Sequence, residues 1–227
     1  MINKIFDALL DRSNEEKKII LSSFFKTGKG QYGEGDKFLG ITVPNIREVA
    51  KEYKDISFDI LKDLIHSPWH EMRMCALLIL VNNSHKNVTK ETFDFYLSQT
   101  KHINNWDLVD LSAPQIVGKY LINKNRDILY QLAENDLLWD NRIAIVSTST
   151  FIRNNDLDDT YKLSLKMMQH RHDLMHKSIG WMLREAGKRD EKRLYNFVME
   201  YKSVMPRTML RYSIEKFDKD TRKELMK

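Results

Sequence analysis

Apolar residues recur at intervals of three and four along most of the chain. Examples are Ile5, Leu9 and Leu10; Ile46, Val49 and Ala50; Leu61, Leu64 and Ile65; and the run that ends in Ile79 and Leu80. That is the period of a helix with one face turned to a core, and the strict alternation of a half-buried strand is scarce. Breakers are few: four prolines and eight glycines, five of the glycines lying between Gly28 and Gly40. The pattern predicts an all-α fold with helices near 2–10, 14–26, 44–53, 57–66, 68–83, 89–99, 105–122, 125–134, 137–153, 156–168, 172–187, 190–203 and 206–216. Several helix starts are legible. Ser13 and Glu16 have the spacing of a capping box. Pro44 and Pro68 suit first helical positions, where a missing N–H is harmless. Thr89, Asn104 and Asp190 read as N-caps, with Asn105 an alternative to Asn104.

From residue 57 onward the helices come in pairs with short connections. Trp69, Trp106, Trp139 and Trp181 mark the second helix of four successive pairs, spaced 37, 33 and 42 residues apart. Two-helix repeats of the HEAT or armadillo kind have such a period. Each tryptophan is followed by a charged residue on the same face: Arg73, Asp110, Arg142 and Arg184. Stacked repeats align equivalent positions along one surface, commonly the concave one. The series therefore predicts a binding groove, where any one tryptophan alone would read as filling between repeats. The expected organisation is a single domain over 1–227, with N-terminal helices and a glycine-rich loop in 1–43 and repeats in 44–227.

Composition narrows the partners. The net charge of +5 favours an anionic one, while 42% hydrophobic and 30% charged residues place the chain among soluble globular proteins. No apolar run is long enough to span a membrane. Asp7 interrupts the N-terminal stretch where a signal peptide would continue apolar, so a cytoplasmic setting is expected. The single cysteine, Cys75, lies in an apolar helical run and reads as a core thiol. Gly28-Lys29-Gly30-Gln31-Tyr32-Gly33 has the letters of a dinucleotide fingerprint, but a helix precedes it and no helix follows, so the context fails. It reads as a mobile loop whose amides, with Lys26, Lys29 and Lys37, could close over a phosphate, or as a plain linker. His170, His172 and His176 fall short of three or four convergent ligands, so no metal and no cofactor are expected.

The stretch Asn104-Asn105-Trp106-Asp107-Leu108-Val109-Asp110-Leu111-Ser112-Ala113-Pro114 carries the chemistry. Trp106 and Asp110, four apart, share one helix face one turn apart. An aromatic ring beside a carboxylate suits a flat cation held over the ring while positive charge develops nearby. Together with Trp139-x-x-Arg142 and Gly180-Trp181-x-Leu183-Arg184-Glu185, this stretch resembles the bacterial DNA alkylation-repair glycosylases of the AlkD type. The resemblance runs from about Phe24 to the C-terminal helices. It implies a right-handed superhelical solenoid of HEAT-like repeats with a concave DNA-binding groove. It further implies that Asp110 is the catalytic carboxylate, that Trp106 and Trp181 are the site tryptophans, and that Arg142 grips phosphate. Arg184, Arg73 and Lys29 are further candidates for phosphate contact. Where the family commonly has a tyrosine facing the lesion, this chain has Phe24-Phe25, with Phe24 the candidate for substrate contact, so stacking is kept and a hydroxyl is lost. The expected activity is hydrolysis of the N-glycosidic bond of N3- or N7-alkylated purines in double-stranded DNA by a monomer. The alternative is a non-catalytic HEAT-repeat module that binds DNA or protein.

Overall fold

The computed structural model describes residues 1–227. Its regular structure is helical, with one isolated β-bridge between Lys37 and Trp69. The chain divides into two compact units, Met1–Ile116 and Val117–Lys227.

In the first unit, α1 (Ile2–Leu10), α2 (Glu15–Phe24), α3 (Val43–Glu52), α4 (Phe58–Ile65), α5 (His70–Asn83), α6 (Lys90–Ser98) and α7 (Trp106–Ala113) follow in order. The core helix is α5, buried at every residue from His70 to Leu80. Its apolar run leaves no polar stripe, and a helix that is hydrophobic all round must be covered on every side. Here α1, α3, α4 and α7 cover it. Cys75 lies inside this packing with no exposure, and burial pushes its thiol up to about 12.

The segment from Phe25 to Thr42 has no repeating structure, so its polar backbone needs partners from elsewhere. The carboxylate of Glu71, on the first turn of α5, accepts from the amides of Leu39 (2.9 Å), Gly40 (2.9 Å) and Ile41 (3.2 Å). The bridge adds Lys37 N to Pro68 O and His70 N to Lys37 O. Gly40 is required twice over. Its φ is +83°, and a Cβ there would lie 2.1 Å from the carbonyl oxygen of Asn14.

The second unit runs α8 (Lys119–Leu121), α9 (Asp127–Glu134), α10 (Leu138–Arg153), α11 (Asp158–Lys166), α12 (Asp173–Gly187), α13 (Glu191–Tyr201), α14 (Arg207–Ser213) and α15 (Lys219–Leu225). Helix α10 is its core, buried from Trp139 to Ile152, with α9, α11 and α12 packed on it. α14 closes on α12 at Gly180, where a Cβ would stand 2.6 Å from the carbonyl oxygen of Met209.

The sequence places most helices within two residues, and four details differ. Asn14, rather than Ser13, caps α2, accepting from Lys17 N at 2.8 Å. The helix expected to begin at Pro68 begins at His70, because the bridge to Lys37 holds Pro68–Trp69 extended. The helix expected over 105–122 is helical throughout Trp106–Leu121 but not uniform: Pro114 has no N–H for the carbonyl four residues back, and the helix widens there into a π turn, Pro114–Gly118. Helix α15 was not anticipated; its hydrophobic content is small, and Asp218 starts it by accepting from the amides of Asp220 and Thr221.

Glu71→Ala should strand three buried amides. With about 1–3 kcal/mol for each unsatisfied buried group, the expected loss is on the order of 3 kcal/mol or more, a fall in Tm of roughly 10 °C for a chain of this size. A thermal melt within about 2 °C of wild type would contradict the clamp.

Candidate active site

The site is built at the start of α7. Asn105, fully buried, caps the helix, its Oδ1 accepting from Trp106 N at 2.8 Å. Asn104 points the other way, donating from Nδ2 to Asp36 Oδ1 at 3.0 Å. Trp106 is the first residue of α7 and Asp110 the fifth, both half-buried, so the indole and the carboxylate lie one turn apart on one face. Pro114 follows one turn after Asp110, and the widened π turn starts there. Insertions of this kind are frequent beside functional groups.

An aromatic stack holds Trp106. Its ring is stacked on Phe25, centroids 5.4 Å apart at 26°, and Phe25 is stacked in turn on Phe38 at 5.2 Å and 13°. Phe24, 58% exposed, meets the Trp106 ring edge-on at 6.0 Å and 71°. Phe24 is thus the exposed ring of the pair and Phe25 the buried one on which Trp106 rests. The sequence singles out the first and leaves the second unassigned. A largely apolar cavity of about 210 Å³ opens beside this stack, lined among others by Ile20, Phe24, Phe25, Met74 and Asp107.

Beneath the stack lies a buried network of charge. His70 Nε2 is 2.8 Å from Asp107 Oδ2, and His70 Nδ1 is 3.5 Å from Asp36 Oδ2. Arg73 Nη2 is 2.8 Å from Asp36 Oδ1 and donates through Nη1 to the carbonyl of Ser67. The imidazole of His70 lies flat against Phe38, 4.6 Å between centroids, and tilted against Phe25. Burial alone would push the His70 imidazole down. The charge and hydrogen bond of Asp107, with the nearby carboxylate of Asp36, outweigh burial and the opposing charge of Arg73, and raise it to about 9. Burial would raise the Asp36 carboxyl, but His70, Arg73 and Asn104 together hold it below its ordinary value.

This geometry changes the part of Arg73. A phosphate contact is expected from the sequence, yet the side chain is 4% exposed and is taken up by Asp36 and Ser67, so it supports the fold from inside. Lys29 is exposed, as a phosphate contact requires. Two of the loop amides around it are already used: Gly28 N donates to Gln31 Oε1 and Gly30 N to Glu34 Oε2.

In the second unit Arg142 is 5% exposed and donates from Nη1 to the carbonyl of Leu174 at 2.9 Å. Trp181 is half-buried in mid-α12, and Arg184, one turn on, pairs with Glu215. The four tryptophans are therefore not equivalent. Trp69 is the N-cap of α5, Trp106 and Trp139 open their helices, and Trp181 is the ninth residue of its own. Trp139 is core. The three histidines are engaged locally: His172 caps α12 through Leu174 N, His176 bonds the carbonyl of His170, and His170 bonds Asn141.

With this geometry in place, the comparisons agree in kind. The family model described as DNA alkylation repair enzyme matches residues 5–217. A solved structure described as a predicted DNA alkylation repair enzyme from Enterococcus faecalis superposes with a TM-score of 0.76 at 17% identity, covering 92% of this chain and 98% of that one. At that identity the likeness speaks for the fold. No curated protein sequence matches the chain.

The raised His70 makes stability depend on pH with a definite sign. A group whose folded value lies above its unfolded one contributes fully below the unfolded value of 6.5, and that contribution drains away as pH climbs through about 9. The gap corresponds to on the order of 3 kcal/mol. The wild-type melting temperature should fall between pH 6.5 and 9.5 more steeply than that of His70→Gln, which starts lower. Parallel pH curves for the two proteins would refute the assignment.

Proposed function

The chain belongs to the family of DNA alkylation repair enzymes, and from that premise we propose that it is a monofunctional DNA glycosylase for positively charged N3- or N7-alkylated purines in duplex DNA. The observation that carries this reading is the pairing on α7 of a half-exposed indole with a carboxylate one turn away, beside the exposed ring of Phe24.

The chemistry asks little of the protein. In a purine alkylated at N3 or N7 the base already carries the positive charge. When the bond from C1′ to the base nitrogen breaks, its electron pair moves into the base, which leaves neutral, and the charge passes to the sugar. No strong general acid is needed. Asp110 faces the sugar as it becomes an oxocarbenium ion and stabilises it electrostatically. The same carboxylate orients the water whose oxygen closes on C1′ and accepts its proton on the way to solvent. Trp106 and Phe24 stack against the cationic nucleotide. Trp181 is assigned to stacking on the resemblance of its motif, whereas Arg142, as buried as Arg73 and bonded to the carbonyl of Leu174, is not assigned to a phosphate. Lys29 and Arg184 are assigned to phosphates, which position the duplex without reading its sequence. The enzyme works as a cytoplasmic monomer and needs no metal or cofactor.

Binding to duplex DNA should then be salt-sensitive and nearly indifferent to sequence. Each lost phosphate contact should lessen the slope of log affinity against log salt by roughly 0.9, so Lys29→Ala and Arg184→Ala should each flatten it in a filter-binding titration. Slopes equal to wild type would remove both residues from the interface.

Asp110→Asn keeps the shape and removes the charge. The loss should fall on the transition state and spare ground-state binding. Single-turnover release of 7-methylguanine should drop about 10²–10³-fold, the size found when one preorganised contact is removed. Affinity for the lesion duplex should hold or rise slightly. A variant that melts like wild type and releases base at an unchanged rate would sink the catalytic assignment. Failure of wild type itself to release base would favour the non-catalytic binding module.

A further inference from the structure

We infer that His70, although it touches no ligand, is the positioning residue of the Trp106 platform, fixing the indole from below by joining the helix that carries it to the end of the glycine-rich loop. The inference rests on the reading of Trp106 as a nucleotide-stacking residue.

Three observations converge on His70. First, its two ring nitrogens face carboxylates on two separate segments: Asp107, the residue next to Trp106, at 2.8 Å, and Asp36, just past Gly35, at 3.5 Å. The first is a hydrogen bond and the second a contact between charges, and only the doubly protonated ring presents an N–H to both carboxylates. Second, the flat of the ring supports the aromatic stack. It lies 4.6 Å from Phe38 and 5.1 Å from Phe25, and Phe25 is the ring on which Trp106 rests. Third, His70 is almost fully buried, and its own backbone is fixed, its N–H donating to the carbonyl of Lys37 at 2.8 Å. A rigid mount for a stacking ring needs such anchoring, because misplacement of a binding group by an ångström is costly to a reaction.

The charged groups around the ring agree. Asp36 faces it from the loop, Asp107 from α7, and Arg73 and Glu71 are its neighbours on α5, while Lys17 of α2 lines the cavity next to it. Two carboxylates directly on the imidazole against one guanidinium behind it favour the imidazolium. Loss of that proton removes the attraction to one of the two carboxylates and turns a ring lone pair toward it.

The test reads Trp106 itself, by fluorescence, as the difference between each protein and its Trp106→Phe counterpart. In wild type the Trp106 emission should stay constant from pH 7 to 8 and change through a single transition near pH 9. Asp107→Asn should move that midpoint down by about one pH unit or more, since the main stabilising charge is gone. His70→Gln should abolish the transition. At pH 7.5, His70→Gln should slow single-turnover base release about 10–100-fold while binding to undamaged duplex stays as in wild type. A wild-type signal flat across pH 8–10, or a transition that survives His70→Gln, overturns the inference. Should His70→Gln not fold, the wild-type and Asp107→Asn midpoints decide alone: equal midpoints overturn it. The fluorescence does not depend on catalysis. Base release without a Trp106 transition defeats the positioning role and leaves the glycosylase, whereas a transition without release does the reverse.

Discussion

One buried carboxylate carries much of the first unit. Glu71 stands at the head of the helix that forms the core and takes three consecutive amides from a segment with no regular structure of its own. A carboxylate removed from water is costly unless hydrogen bonds replace its hydration, and consecutive backbone amides supply them at fixed positions. The arrangement nails Leu39–Ile41 to α5. That in turn brings Asp36 within reach of His70 and Arg73, on the same first turn of α5. From His70 the chain of contacts reaches Asp107 and the start of α7. The orientation of the candidate site is thus settled by charges hidden beneath it.

A second theme is the use made of arginine. The net charge of +5 suggests many cations free for phosphate. Several are engaged inside the protein instead. Arg73 neutralises Asp36, Arg142 supports the first turn of α12 through Leu174, and Arg126 lies 3.7 Å over the ring of Phe151 while pairing with Asp156 and Asp159. A planar guanidinium serves such places well, because it can stack and donate in several directions at once. Composition alone therefore overstates the positive surface offered to a polyanion.

The helices were legible because their apolar period is strong and their caps are ordinary: Thr89, Asn105 and Asp190 each accept from the amides of the turn they start. The pairing of Trp106 with Asp110 was legible for the same reason, since local spacing dictates it. What local spacing cannot show is partnership across distance. Nothing near Arg73 announces that Asp36 will meet it, and nothing in Phe24-Phe25 tells that the second ring will carry Trp106. The regular placing of tryptophans misled in one respect, because Trp181 occupies mid-helix while Trp106 and Trp139 stand at helix starts. Equal spacing along a chain does not ensure equal register within the helices it crosses. Pro114 was visible in the sequence, yet its effect required knowing that the helix continues past it.

Cys75 has a bearing on the setting in which such a family works. A thiolate is the nucleophile that electrophilic alkylating agents attack most readily in a protein, and this chain has a single sulfhydryl. With that thiol closed inside α5 and pushed up by burial, the thiolate is a rare form at neutral pH. The same reagents that damage DNA therefore find no ready thiolate here. A protein that deals with alkylation injury is in this respect shielded from becoming its casualty.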